Sequence, residues 1–597
     1  MSDKPEQDPM AKANPADPMK AWTDMIAQSQ NAFAQMVAPK GDAPQANNPF
    51  VPAASVSAFT NFMQVLMRDP KKLTEAQAEL WQKQGDLLKH LLNKGGISEE
   101  GAQLAPVKDR RFKSEEWDKN LNYNALMHSY LIGADWLKKL IAQNSSELAP
   151  RDLKNVEFFS QQFIDAMAPS NFALTNPDVV KKTVETGGAN LVKGANNMLA
   201  DLTSGAGHVR RADFKAFELG KNIAATKGSV VLRTPMMELL QFEPSTPKVG
   251  AIPLLLIPPW VNKYYLFDLQ QKTSFIKWAV DEGYTVFAIS WVNPTEAHAE
   301  KDFEDYWLEG PMAAFDAMEK ITGQRHVNIF SYCLGGTLTV SGLAYLAAKG
   351  DDRVASATMC ATMTDFSDFG DFEVFVTDDQ VEKVESYIKN KGYLDAGDLS
   401  RLFSLLRAND LIWSSVVSSY LLAEDAVASD LLFWFSDGIG MPAKMLDTFM
   451  RKVILDNALT QPGKLKFKNT PLDLSKIQTP LYFVSLKDDH VAHWQATYNG
   501  AKRFKAPKTF VLGGSGHNAG TINPPAAKKH GFWTNPTFAA TPEEWFAKAE
   551  KHEGSWWTMW SEFLRGKSGE TVDAKPVAAG PLPVLEAAPG SYAKTRA

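Results

Sequence analysis

Cysteine is almost absent, with Cys333 and Cys360 the only two in 597 residues. Two thiols cannot build a disulfide framework, and their scarcity fits a reducing compartment. Long apolar runs are missing as well. No stretch offers about 18 uncharged apolar residues, and the strongest contender, 250–261, is interrupted by prolines. No membrane-spanning helix is expected. The opening residues, Met1-Ser-Asp-Lys-Pro-Glu-Gln-Asp, lack the basic-then-apolar form of a secretory leader, so a cytoplasmic location is expected. Charge of one sign is also scarce: Lys and Arg total 63 against 69 Asp and Glu, a net charge of −6. That balance argues against bulk nucleic-acid binding and leaves any anionic ligand dependent on a local basic patch.

What is present falls into four zones. Residues 1–55, rich in Pro, Ala, Gln, Asn and Asp, cannot bury enough apolar surface to offset the entropy of ordering and are expected to be mostly disordered. One island interrupts them. Trp22, Met25, Ile26, Phe33 and Met36 share a helical face between 19 and 37, a pattern that fits docking on a partner or packing on the chain's own domain. Residues 56–210 carry helical periodicity, for example over 73–94, 114–144 and 151–167. The Pro169-Ser-Asn-Phe-Ala-Leu-Thr-Asn-Pro177 stretch breaks that helicity. From 211 to 567 strands alternate with helices. Short runs over 229–233, 237–243, 252–257, 285–290, 327–330, 355–360, 481–485 and 509–512, several of them continuously apolar, predict a doubly wound α/β sheet with buried parallel strands. The alternation breaks at 362–475, an insertion crowded with aromatics such as Phe366, Phe369, Trp413 and Trp434, which reads as a lid or a second helical subdomain. Beyond 567 the chain turns Pro- and Ala-rich, and an extended tail is expected over 568–597.

Within the α/β zone, 326–348 reads as strand, tight turn and helix, with Ser331-Tyr-Cys333-Leu-Gly335-Gly336 at the turn. A nucleophile elbow places its reactive side chain on such a turn, and small residues two before and two after it avoid collision. Here those are Ser331 and Gly335. A buried structural thiol is the plain alternative for Cys333. Hydrolases of this design supply an acid and then a histidine after later strands. Asp488 and Asp489 follow the 481–485 strand, and His517, set among Gly513, Gly514, Gly516 and Gly520, follows the 509–512 strand. His490 and His493 lie in the acid loop and are assigned to the substrate path or to packing. An oxyanion hole would combine the Leu334 N–H with that of Trp260 or Val261, since Pro258 and Pro259 carry none. A thiolate exchanges thioesters readily, so cysteine in place of serine favours acyl transfer over hydrolysis.

These residues resemble the polyhydroxyalkanoate synthases of the single-subunit class I type. The resemblance spans 54–567 and rests on the 169–177 motif, Pro258-Pro-Trp-Val-Asn-Lys-Tyr-Tyr265, Ser290-Trp-Val-Asn-Pro294, Tyr332-Cys-Leu-Gly-Gly336, Thr364-Asp-Phe-Ser-Asp368, Asp489-His490, Gly514-Ser-Gly-His-Asn-Ala-Gly520 and Ile522-Asn-Pro-Pro525. It implies an α/β-hydrolase fold with a lid insertion behind an α-helical N-terminal domain. It also implies a polymerase of (R)-3-hydroxyacyl-CoA, short chains such as 3-hydroxybutyryl-CoA being expected. Cys333 would carry the chain, His517 would deprotonate the thiol, and Asp489 would orient His517 or activate the incoming hydroxyl. His490 is assigned to substrate and the oxyanion donors to Val261 and Leu334. No metal and no cofactor are implied, coenzyme A being product, and a homodimer at the polymer granule surface is. The alternatives are a cysteine-dependent hydrolase or depolymerase, and a non-catalytic granule scaffold.

Overall fold

The computed structural model describes residues 54–96, 104–203, 209 and 211–596, so the island around Trp22 lies outside the described residues. The chain divides into two compact units, Met1–Gly207 with Ala408–Leu422, and His208–Arg407 with Ala423–Ala597.

The first unit is helical, as the periodicity predicts. Its helices include Pro70–Lys94, Leu121–Gln143, Pro150–Ala166, Pro177–Glu185 and Ala189–Thr203. Three of these begin on proline, which gives up no hydrogen bond at a first-turn position. The 169–177 motif is more than a break. Asn171 Nδ2 donates to the Asp165 carbonyl at 2.7 Å, Asn176 Nδ2 donates to the Ser170 carbonyl at 2.6 Å, and Asn176 Oδ1 caps the helix that Pro177 opens. One part of the insertion belongs here too. Residues 408–422, expected within the lid of the α/β zone, pack on helix Ala189–Thr203, where Asn190 Nδ2 donates to the Leu421 carbonyl at 2.8 Å and Asn197 Nδ2 to the Ser419 carbonyl at 3.1 Å. Gly194 makes the approach possible, because any Cβ there would overlap the Tyr420 carbonyl.

The second unit is built on a mixed sheet. Its strands in chain order are β1 (Gly228–Arg233), β2 (Met237–Phe242), β3 (Leu254–Ile257), β4 (Val286–Trp291), β5 (Val327–Tyr332), β6 (Val354–Cys360), β7 (Leu481–Leu486), β8 (Lys508–Gly513), β9 (Phe532–Thr534), β10 (Glu550–His552) and β11 (Glu586–Ala587). Their spatial order is β10-β9-β8-β7-β6-β5-β3-β4-β2-β1-β11. The run from β4 to β8 is parallel and the flanking strands are antiparallel. Every residue of β2, β3, β4, β5 and β7 is buried, which is why those segments are mostly apolar, with few polar interruptions such as Glu238 and Asn328. This is the α/β-hydrolase arrangement, with the 362–475 insertion between β6 and β7. An aromatic block of Phe275, Phe330, Trp556, Trp557 and Trp560 fills one face, with Phe330 and Trp556 stacked at 6.3 Å.

The C-terminal segment differs from expectation. It is not an extended tail: β11 pairs antiparallel with β1, Thr571–Asp573 pairs with Lys248–Gly250, and Gly590–Lys594 is a short helix. Its low apolar content hides this, because the docking is done by backbone ladders and by single side chains such as Tyr592, whose hydroxyl donates to the Thr234 carbonyl at 2.8 Å.

Gly194→Ala is expected to cost about 1–3 kcal/mol through overpacking. The loss reads as a lower thermal midpoint together with faster proteolytic nicking inside 408–422, and an unchanged midpoint would refute the packing.

Candidate active site

The carboxyl ends of β5, β7 and β8 carry the predicted residues to one place. Cys333 stands between β5 and helix Leu334–Lys349 with φ 52° and ψ −124°, a conformation non-glycine residues avoid. The turn is tight because the helix start sits on its neighbours. A Cβ on Gly335 would overlap the Ile257 carbonyl and one on Gly336 would strike Thr362. Ser331 fits where glycine is the simpler choice: it is fully buried, and its hydroxyl donates to the Thr358 carbonyl at 2.8 Å. The Cys333 N–H donates to the Cys360 carbonyl at 2.9 Å, locking the turn to β6.

His517 opens the short helix His517–Thr521 after β8, and its Nδ1 lies 2.7 Å from Asp489 Oδ2 in the loop after β7. Asp489 is buried and its other oxygen accepts the N–H groups of Val491 and Ala492 at 2.8 and 2.9 Å. Asp488, which the residues alone did not separate from Asp489, is exposed, with its N–H donating to the Ser515 carbonyl. With Nδ1 turned to the carboxylate, Nε2 is left for the thiol. Burial works against charge on His517, yet the Asp489 carboxylate and the neighbouring, hydrogen-bonded Cys333 outweigh it and push the imidazole pKa up to about 10.

Other predicted residues fall around this core. The first turn of the cysteine's helix lies so close to the 258–263 loop that a Cβ on Gly335 would overlap the Pro258 carbonyl. Leu334 is the first residue of its helix, so its N–H has no acceptor within that helix. Val261 is buried, with its carbonyl accepting the Ile439 N–H, while Trp260 is fully buried among Phe303, Tyr306 and Phe449. His490 is half-buried beside His517, and burial, followed by His517 and Arg407, pushes its pKa down to about 4, leaving it neutral. His493 instead packs on Gly370 of the insertion.

Three supports escaped the sequence reading. Tyr332 donates to Asn518 Oδ1 at 2.6 Å, and its ring lies 5.0 Å from that of His517. Trp556 and Trp557 donate their indole N–H groups to the carbonyls of Gly520 and Thr521 at 2.9 and 3.0 Å, clamping the histidine helix. Cys360 is fully buried, 3.6 Å from Thr521 Oγ1, and burial pushes its thiol well above the usual range. Adjacency of a tryptophan-rich segment to the end of the chain was the available signal, but nothing local linked it to His517. Among the described residues no helix is long and apolar enough to cross a membrane, and no group of three His, Cys, Asp or Glu side chains could hold a metal ion.

Residues 253–524 match the family described as alpha/beta hydrolase fold, and residues 108–279 match the one described as the N-terminus of poly-beta-hydroxybutyrate polymerase (PhaC). With the strand order and the elbow, the first match gives the second unit the α/β-hydrolase fold. The poly(3-hydroxyalkanoate) polymerase subunit PhaC of Rhizobium meliloti (strain 1021) is 39% identical over 546 residues, covering 91% of this chain and 89% of that protein. The poly(3-hydroxyalkanoate) polymerase of Methylorubrum extorquens is 38% identical, over 90% of this chain and 89% of that one. The polymerase subunit PhaC of Cupriavidus necator is 38% identical, over 82% and 84%. The chain belongs to the poly(3-hydroxyalkanoate) polymerase family, whose members are acyltransferases.

The raised pKa of His517 has a sign that can be measured. The folded state keeps a proton that the unfolded chain releases near pH 6.5, so the stabilisation is complete below that pH and is lost as pH rises toward about 10. Asp489→Asn removes the carboxylate that holds the proton. Thermal midpoints between pH 6 and 10 are expected to fall more steeply for the wild type than for the variant, and turnover at pH 7 to drop by about 10²–10⁴-fold in the variant. Parallel midpoint curves would refute the assignment.

Proposed function

We propose that the protein polymerises (R)-3-hydroxyacyl-CoA thioesters, (R)-3-hydroxybutyryl-CoA among them, into polyester with release of coenzyme A, and that Cys333 carries the acyl chain. The observation that carries this reading is a half-exposed cysteine on a strained elbow, facing an imidazole paired with a buried carboxylate, in a member of this family. The Cys333 proton rests on His517, and the thiolate sulfur attacks the thioester carbonyl. The tetrahedral oxyanion is held by the N–H groups of Leu334 and Val261. Collapse breaks the bond to the CoA sulfur, which leaves with the proton from His517. A hydroxyl of a second hydroxyacyl group then attacks the Cys333 thioester, His517 accepting its proton, and an oxygen ester forms as the Cys333 sulfur is released. Chain growth repeats these two exchanges.

Both oxygens of Asp489 are committed, one to His517 and one to two backbone N–H groups, which favours the orienting role over direct activation of the hydroxyl. His490, neutral and adjacent, can exchange a hydrogen bond with the acyl group without competing for the proton. The aromatic insertion suits a dry channel that shields the acyl-enzyme from hydrolysis. On the same reading, and on the resemblance, the enzyme is a single-subunit synthase working as a homodimer at the surface of cytoplasmic polymer granules.

The test is coenzyme A release from (R)-3-hydroxybutyryl-CoA by the wild type and by Cys333→Ala, with the product sized afterwards. High-mass polyester, with release lowered at least about 10³-fold in the variant, is the expected outcome. Release of free hydroxy acid alone would replace the polymerase by a hydrolase, and equal rates would remove Cys333 from the mechanism.

A further inference from the structure

Two prolines at the start of the loop that presents Val261 remove backbone donors. The Asn262 N–H donates to the Pro259 carbonyl at 3.3 Å and the Trp291 indole to the Pro258 carbonyl at 3.0 Å, and beyond these the loop is tied to two distant parts of the chain. One is the insertion, where the Ile439 N–H donates to the Val261 carbonyl at 2.9 Å, the Trp434 indole donates to the Lys263 carbonyl at 2.8 Å, and the Tyr265 hydroxyl donates to Asp437 Oδ2 at 2.6 Å. The other is the end of the chain. Lys263 is 1% exposed, and its ammonium donates to the carbonyls of Tyr592 and Thr595 at 2.8 and 2.6 Å, capping the last turn of helix Gly590–Lys594. That helix is fixed in turn. The Tyr592 N–H donates to Glu238 Oε2 at 3.0 Å, Ala593 is fully buried, and the Arg596 guanidinium lies 4.7 Å from the Phe214 ring and 5.4 Å from Phe433.

We infer that the C-terminal helix is a positioning element of the acyl-transfer site, acting through Lys263 on the loop that carries the Val261 N–H. The inference rests on the oxyanion role proposed for Val261. The physical reason is that a buried ammonium without hydrogen-bond partners is too costly to keep. Remove the carbonyls of Tyr592 and Thr595, and Lys263 must swing toward water, taking with it a loop whose donor has to be aimed within a few tenths of an ångström. The capping geometry is favourable in its own right, since a cation at a helix C-terminus meets unpaired carbonyls and the negative end of the dipole. Lys263 itself touches no reacting atom in this scheme, so it is a positioning residue and not a catalytic one.

The test uses the full chain with Lys263→Met, Lys263→Arg, a version ending at Ser591, which lacks both carbonyls, and the combination of the Met substitution with that truncation. With (R)-3-hydroxybutyryl-CoA, Lys263→Met and the truncation are each expected to lower kcat about 10–100-fold with KM within about twofold, the pattern of an interaction made only in the transition state. Lys263→Arg should recover part of the loss, and the double change should cost no more than either alone, because both cut one connection. A wild-type kcat in Lys263→Met, or losses that multiply in the double change, would overturn the inference. A second readout is independent of turnover: trypsin should cut after Lys594 at least about tenfold faster in Lys263→Met than in the wild type, because an untied end opens more often. Equal cutting rates would overturn the inference even if the wild type released no coenzyme A. Absence of release from the wild type would instead overturn the proposed function.

Discussion

The 2.7 Å approach of His517 Nδ1 to Asp489 Oδ2 is the contact on which the rest of the catalytic unit depends. Both groups are buried, so neither can be solvated if the other drifts away, and an unpaired charge there would cost far more than a surface ion pair gains. The register of two parallel strands supplies the alignment. Leu486 of β7 lies beside Gly513 of β8, so the loops carrying the acid and the base leave the sheet at the same level. The two backbone donors on Asp489 and the two indole donors on the histidine helix then leave each partner little freedom to move.

The elbow imposes a different kind of constraint. Cys333 is held in a backbone conformation that costs of order 1–3 kcal/mol, and the packing around it supplies the compensation. The helix start rests on the backbone of Ile257 and Pro258, β6 takes the cysteine N–H, and Ser331 fills the remaining space with a hydrogen bond. Serine at that position therefore ties β5 to β6 and becomes part of the scaffold. Strain and close packing together keep the sulfur on the rim of the sheet, facing the imidazole.

Much of this architecture was legible in the sequence, for identifiable reasons. The parallel strands are buried on both faces and so appear as apolar runs, and the elbow needs small residues at fixed offsets from Cys333, which leaves a pattern. His517 was legible because histidine is scarce and glycines surround it. Other features left no local trace. Residues 408–422 look like any amphipathic helix, and their membership of the N-terminal unit depends on Gly194 and on side-chain amides more than 200 positions away in sequence. Asp489 and Asp488 are chemically identical neighbours, separated only by which one the loop turns inward. The docking of residues 568–596 is not legible in composition, which measures how much apolar surface a segment can bury, because this segment docks by backbone pairing and by offering carbonyls to Lys263. The strands β9 and β10 are three residues long and too short to show a period.

The two thiols of this chain sit in opposite surroundings. Cys333 is half-exposed beside a base, whereas Cys360 is sealed in the sheet with its ionisation suppressed by burial. A maleimide or mercurial reagent added to native protein therefore meets a single reactive sulfur per chain. The protein comes with its own titration site: the reagent consumed counts natively folded chains directly, without engineering a cysteine-free background.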